Sequence, residues 1–209
     1  MGTSDGPVEA TRTTEVRQMR SPSADKLDQL LKQGTLPSAQ PGQTLSNEGQ
    51  ISKMPIPSGW SRNTTNPKLS ATANFVEFHS DKTPAAKICT YYRGHKVSPA
   101  AGKRFHDLLQ QPDHALTKED FLSLAEVLRD KAKSADFTVA NKRTQTLHGK
   151  RVLVVEGTFK ELKQKTYCVY VDANDTGEVI QEIFYQAPES VYTDYAKAAE
   201  AAIQSISWK

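Results

Sequence analysis

The chain has 209 residues, a net charge of +3 and 8% aromatic residues. No aromatic residue precedes Trp60, so residues 1–51 lack the large apolar side chains that offset ordering entropy; they are expected to form a flexible, largely disordered arm. Basic residues cluster only in pairs, at Lys103-Arg104, Lys142-Arg143 and Lys150-Arg151, which speaks against a nucleic-acid surface, and no apolar run has the length of a membrane span.

Within the arm, residues 23–34 alone have helical character. Leu27, Leu30 and Leu31 share a face there, which predicts a short helix at 25–33. Residues 35–50 read as linker. The stretch 52–209 reads as a single domain, a size that can bury one core. It opens on Ile56 between two prolines, and Gly59 turns the chain so that Trp60 can pack. Residues 71–80 and 85–94 have strand composition and are joined by a hairpin turn. Ser98-Pro99 then starts a helix whose apolar face carries Phe105, Leu108 and Leu109. A second helix begins at Thr117, with Asp120 in a capping box and Phe121, Leu124, Ala125 and Leu128 as its stripe.

From Asp136 the period changes to two. A strand leads to a turn at His148-Gly149, and strands follow near 151–161, 165–173 and 178–188. The last eighteen residues are helical in pattern, with Tyr192, Tyr195, Ala199, Ala202, Ile203 and Ile206 on one side. Strand pair, helices, four-strand run and helix together give an α+β class with a mainly antiparallel sheet and helices packed on it.

Three places carry a family resemblance: Ile56-Pro57-Ser58-Gly59-Trp60, the strand Gly149–Gly157, and the closing Ser205-Ile206-Ser207-Trp208. The pattern resembles the PsbP-like fold, found in an extrinsic subunit of the oxygen-evolving complex and in a Ran-binding nuclear import factor. Bacterial relatives include exported lipoproteins and adaptor-chaperones of type VI secretion effectors. The arm has no counterpart in that fold. The resemblance implies a non-enzymatic binding protein with no cofactor, and it transfers no site residue to this chain.

The chemistry in the residues themselves is sparse. Cys89 and Cys168 lie in strand-like runs and read as buried thiols; a disulfide between them requires the fold to bring their strands within bonding distance. Cys89 with His79 on the preceding strand is the one conceivable nucleophile pair, and makes a thiol-dependent hydrolase the alternative to binding. His106-Asp107 and Asp113-His114 bracket a helix end but lack metal-ligand spacing, so no metal site is expected. Asp172 to Gly177 imitates a calcium loop, yet its twelfth position is Ile183 where a Glu is needed, and a hairpin turn explains it better.

Tyrosines are the better hint. Tyr91 and Tyr92 are adjacent on one strand and point to opposite faces, as do Tyr167 and Cys168, with Tyr170 on the Cys168 face. If helices cover only one face of the sheet, Tyr91, Tyr92, Tyr167 and Tyr170 supply an aromatic surface for a protein or peptide. The expectation is a protein-binding module, in its most specific form an adaptor or chaperone for a secreted protein. An exported envelope or structural protein is a further alternative. The lack of an apolar leader points to the cytoplasm, whereas a Met1-Gly2 that replaces a removed export signal would point outside it.

Overall fold

Strand-forming runs from residue 74 onward give six strands, and with a short strand at Trp60–Arg62 they assemble into one antiparallel sheet of seven. The computed structural model describes residues 42–65 and 73–209; the arm helix expected at 25–33 lies outside the described residues. The sheet is built from β3 (Trp60–Arg62), β4 (Asn74–Ser80), β5 (Lys87–Lys96), β6 (Phe137–Leu147), β7 (Lys150–Phe159), β8 (Gln164–Asp172) and β9 (Val179–Pro188). Their spatial order is β3-β4-β5-β9-β8-β7-β6, so the last strand of the meander returns to pair with β5. The helical segment between β5 and β6 makes that crossover.

Three shorter strands, β1 (Thr44–Glu48), β2 (Ile51–Pro55) and β10 (Ser207–Trp208), form a second sheet in the order β1-β2-β10. Two of these depart from the sequence reading. β1 lies ahead of the boundary at 51/52, and it buries Leu45 although its other residues are polar. A strand of that composition exists only because β2 pairs with it, which no local signal announces. The C-terminal helix does not run to the end of the chain. It stops at Gln204, where the Ser205 hydroxyl donates back to the Ala201 carbonyl, and Ser207-Trp208 then pairs with β2.

The helices are α1 (Pro99–Gln110), α2 (Lys118–Ser123), α3 (Ala125–Leu128), α4 (Asp130–Lys133) and α5 (Tyr192–Gln204). Ser98 caps α1 through its hydroxyl, and Thr117 with Asp120 makes a complete capping box on α2. The single helix expected from Thr117 is instead three short pieces, broken at Leu124 and at Arg129, whose φ is +54°. Tertiary contacts override its apolar stripe here: the buried Arg93 guanidinium donates to the Val127 carbonyl at 2.7 Å and so claims the end of α3.

Both faces of the sheet are covered along its middle. One face packs Val152, Val154, Tyr167, Val169 and Tyr185 against α5 and the small sheet; the other packs Leu153, Val155, Cys168 and Tyr170 against α1 to α3. Val152 to Val155 are all fully buried, which explains why β7 reads as an unbroken apolar run rather than an alternation. The long edge strand β6 is guarded: residues 114–116 bond to its outer side at Lys142 and Thr144, and a bulge sits between Val139 and Asn141.

Candidate functional site

A cleft of about 650 Å³ lies at one end of the big sheet. Helix α1 contributes His106, Leu109 and Gln110, which share a face by their i, i+3, i+4 spacing. The β6–β7 turn contributes His148, Gly149, Lys150 and Arg151, the β8–β9 hairpin Asp172 and Asp175, and the chain end Trp208 and Lys209. The β6–β7 turn has both central residues at positive φ, +46° for His148 and +83° for Gly149, the two-residue form that matches strand twist. Glycine also lets α1 lie directly on the β8–β9 hairpin: Gly177, at φ +72°, abuts the Gly102 carbonyl so closely that a Cβ would collide with it.

Within this cleft the charges are unequally engaged. Asp172 is spent on the wall. Its Oδ2 lies 2.9 Å from His106 Nδ1, and its Oδ1 accepts from the Asn174 amide at 3.2 Å. A carboxylate only accepts, so the His106 Nδ1–H donates to it, and the bond fixes the ring against the cleft wall. Arg151 is answered by Asp113, 3.3 Å from Nε to Oδ1, and donates to the Leu109 carbonyl at 2.7 Å. Lys150 donates to the neutral Gln50 amide oxygen at 3.1 Å. Gln50 is the hub of the floor: its side chain donates to the Ala173 carbonyl, and its own carbonyl accepts from the Lys209 amide at 3.0 Å. The Trp208 indole N–H donates to the Leu147 carbonyl at 2.7 Å and holds the chain end in place.

The tyrosines expected to form one surface are dispersed. Tyr167 and Tyr170 are 1% and 0% exposed, on opposite faces, because the sheet is covered on both sides. Tyr92 is half-buried over Gly49 beside Gln181. Tyr91 is half-buried on the other face, edge-on to Phe75 with ring centroids 6.2 Å apart and with the Arg129 guanidinium 5.3 Å above it. No four-tyrosine surface results.

Cys89 is buried, and burial, then the Glu77 carboxylate, push its thiol far above the usual range. Its cross-strand neighbour is Glu77; His79 is paired with Lys87 instead. Such a thiol is not poised as a nucleophile. Cys89 and Cys168 both pair with Phe184, from opposite sides, so two strand spacings, about 9–10 Å, separate them, beyond disulfide reach. His114 bonds the Pro112 carbonyl, and no group of three or more His, Cys, Asp and Glu among the described residues could hold a metal. Asp172 to Gly177 is a hairpin turn, with Asp175 at φ +57° and the Asn174 side chain accepting from the Val179 amide.

A buried charge cluster escapes the sequence altogether. The Glu182 carboxylate takes Lys131 Nζ at 2.6 Å, an Arg93 guanidinium nitrogen at 3.1 Å and the Cys168 thiol at 3.2 Å. Burial alone would raise the Glu182 pKa. The Lys131 ammonium, the Arg93 guanidinium and the hydrogen bonds from Lys131 and Cys168 outweigh it and hold the carboxyl down at about 2. The cluster pins the broken helices to the sheet. Its members are largely buried, and it is read as structural.

Comparison with known proteins bears on the fold. No family model matches the chain, and no curated protein is similar to it in sequence. Among solved structures, the cyanobacterial PsbP of Synechocystis sp. PCC 6803 superposes with a TM-score of 0.53 and 14% identity, over 84% of this chain and 96% of that one. A Pseudomonas aeruginosa protein described as a putative regulator of unknown function gives 0.43 and 11%, over 80% and 99%. LpqN of Mycobacterium tuberculosis, described as involved in cell envelope biogenesis, gives 0.41 and 14%, over 80% and 85%. The chain has a PsbP-like α+β fold.

Proposed function

We propose that this chain is a non-enzymatic protein-binding module, in its most specific form an adaptor or chaperone for a secreted protein, and that the sheet-end cleft receives a segment of the partner. The observation that carries this reading is the cleft itself. Four separate parts of the chain converge on it, and their polar ends line it while Gln50 and Trp208 fix its floor and wall. A polar, preformed concavity with a single aromatic wall suits a wet, reversible protein contact better than capture of an apolar small molecule. The PsbP-like fold is compatible with such a role but does not assign it. The thiol-hydrolase alternative is disfavoured by the buried, strongly raised Cys89.

The test is affinity capture from the source cell with the full chain, in parallel with a Lys150→Glu/Lys209→Glu chain. A partner retained by the wild type and lost by the variant supports the reading. Absence of any specific partner under conditions where the chain is folded counts against it.

A further inference from the structure

The cleft's charge pattern selects its occupant. Five lining side chains can be cationic, His106, His148, Lys150, Arg151 and Lys209, against two carboxylates, Asp172 and Asp175. Arg151 is engaged by Asp113, and both oxygens of Asp172 are engaged by hydrogen bonds, from the His106 ring and the Asn174 amide. The groups left without an internal ion pair on the concavity are Lys150, bonded to a neutral amide, the exposed Lys209 and the turn residue His148, with the exposed Asp175 opposing them. His148 occupies a positive-φ turn position at which Asn is the usual residue, so an imidazole is set on the rim at some conformational cost.

We infer that the cleft recognises an acidic, extended peptide segment, with the Lys150 and Lys209 ammonium groups taking its carboxylates. The inference rests on the protein-binding reading above and names the chemistry of its partner. The Trp208 indole supplies a flat wall against which side-chain stems lie. Asp175 opposes this selection: its carboxylate repels the acidic ligand, so its removal strengthens binding. Since the cationic groups stand in a solvent-accessible cleft, their attraction is screened by salt and accumulates over several contacts rather than one.

The test titrates the full chain with a capped octapeptide of alternating Glu and Ser, a matching Lys-Ser peptide and a single-stranded oligonucleotide, each followed by calorimetry and amide chemical shifts. The expected result is binding of the Glu-Ser peptide with shifts at Gly149, Lys150 and Lys209. Affinity falls about tenfold in Lys150→Gln/Lys209→Gln and rises about threefold in Asp175→Asn, the range for a few exposed charge pairs. Lys209→Gln alone, which touches no internal bond of the cleft, loses part of the same affinity.

Equal binding of the Lys-Ser peptide, tighter binding of the oligonucleotide, shifts confined to another surface, or unchanged affinity in the lysine variants overturns the inference. A cellular partner held equally by the wild type and by Lys150→Gln/Lys209→Gln, with no Glu-Ser binding, overturns it while leaving the wider reading intact. No cellular partner for either chain strikes the wider reading itself.

Discussion

Glu182 Oε1 lies 2.6 Å from Lys131 Nζ, and this ion pair joins the middle of the seven-stranded sheet to the four-residue helix α4. Arg93 meets the other carboxylate oxygen at 3.1 Å, so one acid is balanced by two bases in a site from which water is excluded. Burying such a group is costly unless every partner is present.

That arrangement predicts a specific pH dependence. The Glu182 pKa is near 2 in the folded chain and 4.5 in the unfolded one, so the unfolded state binds the proton first on acidification. Its contribution, on the order of 3 kcal/mol, is fully present above about pH 4.5–5 and is lost as pH falls through about 2. Urea unfolding followed from pH 7 to pH 2 should show this loss, and Glu182→Gln should both lower neutral-pH stability by about 3 kcal/mol and shrink the acid fall. A Glu182→Gln chain as stable as wild type at pH 7 would contradict the buried-pair geometry.

The thiols predict silence. With Cys89 and Cys168 at 2% and 0% exposure and both thiols pushed well up by burial, iodoacetamide at pH 8 should leave the native chain unlabelled over hours. In guanidinium chloride mass spectrometry should find two alkylated cysteines and no disulfide. Rapid single labelling of the folded chain at Cys89 would revive the hydrolase alternative.

Tyrosine substitutions separate core from surface. Tyr167→Ala removes a fully packed ring and should cost about 3–5 kcal/mol of stability, whereas Tyr91→Ala removes a half-buried one and should cost less than half as much. Chemical denaturation of the two variants side by side gives the comparison. Equal, small effects would mean that β8 is not buried on both faces.

The contact beneath the cleft is tested at Gly177. Alanine there must adopt φ +72° and drive its Cβ into the Gly102 carbonyl oxygen, so α1 has to move off the hairpin. The expected loss is about 2–4 kcal/mol, accompanied by altered amide shifts at His106 and Asp172. Gly59→Ala is the control: φ is +76°, but open space surrounds the position, so only the backbone term of about 1 kcal/mol applies.

Much of the fold was legible. The alternation through Val76–Phe78 and Ile88–Thr90, the Ser98-Pro99 and Thr117/Asp120 caps, and the turns at His148-Gly149 and Asp172–Gly177 are local signals, and each appears where its residues put it. The failures have a common physical cause. β1 and β10 are strands only by virtue of pairing with β2, and the helix from Thr117 breaks because Arg93, thirty-four residues away, takes the Val127 carbonyl. The candidate site was nearly invisible: His106 and Asp172 are sixty-six residues apart, and Lys150 and Gln50 one hundred.

The sequence alone therefore determined the class of each long element, the antiparallel meander and the poverty of reactive groups, because propensity, periodicity and capping act over a few residues. Only the tertiary structure decided that both sheet faces are buried. It thereby removed Tyr167 and Tyr170 from any surface, sealed the two thiols apart and brought four chain segments around one charged cleft. Those outcomes depend on which strands become neighbours across the sheet and on what packs over it, and long-range pairing of that kind leaves no mark in a local window of residues.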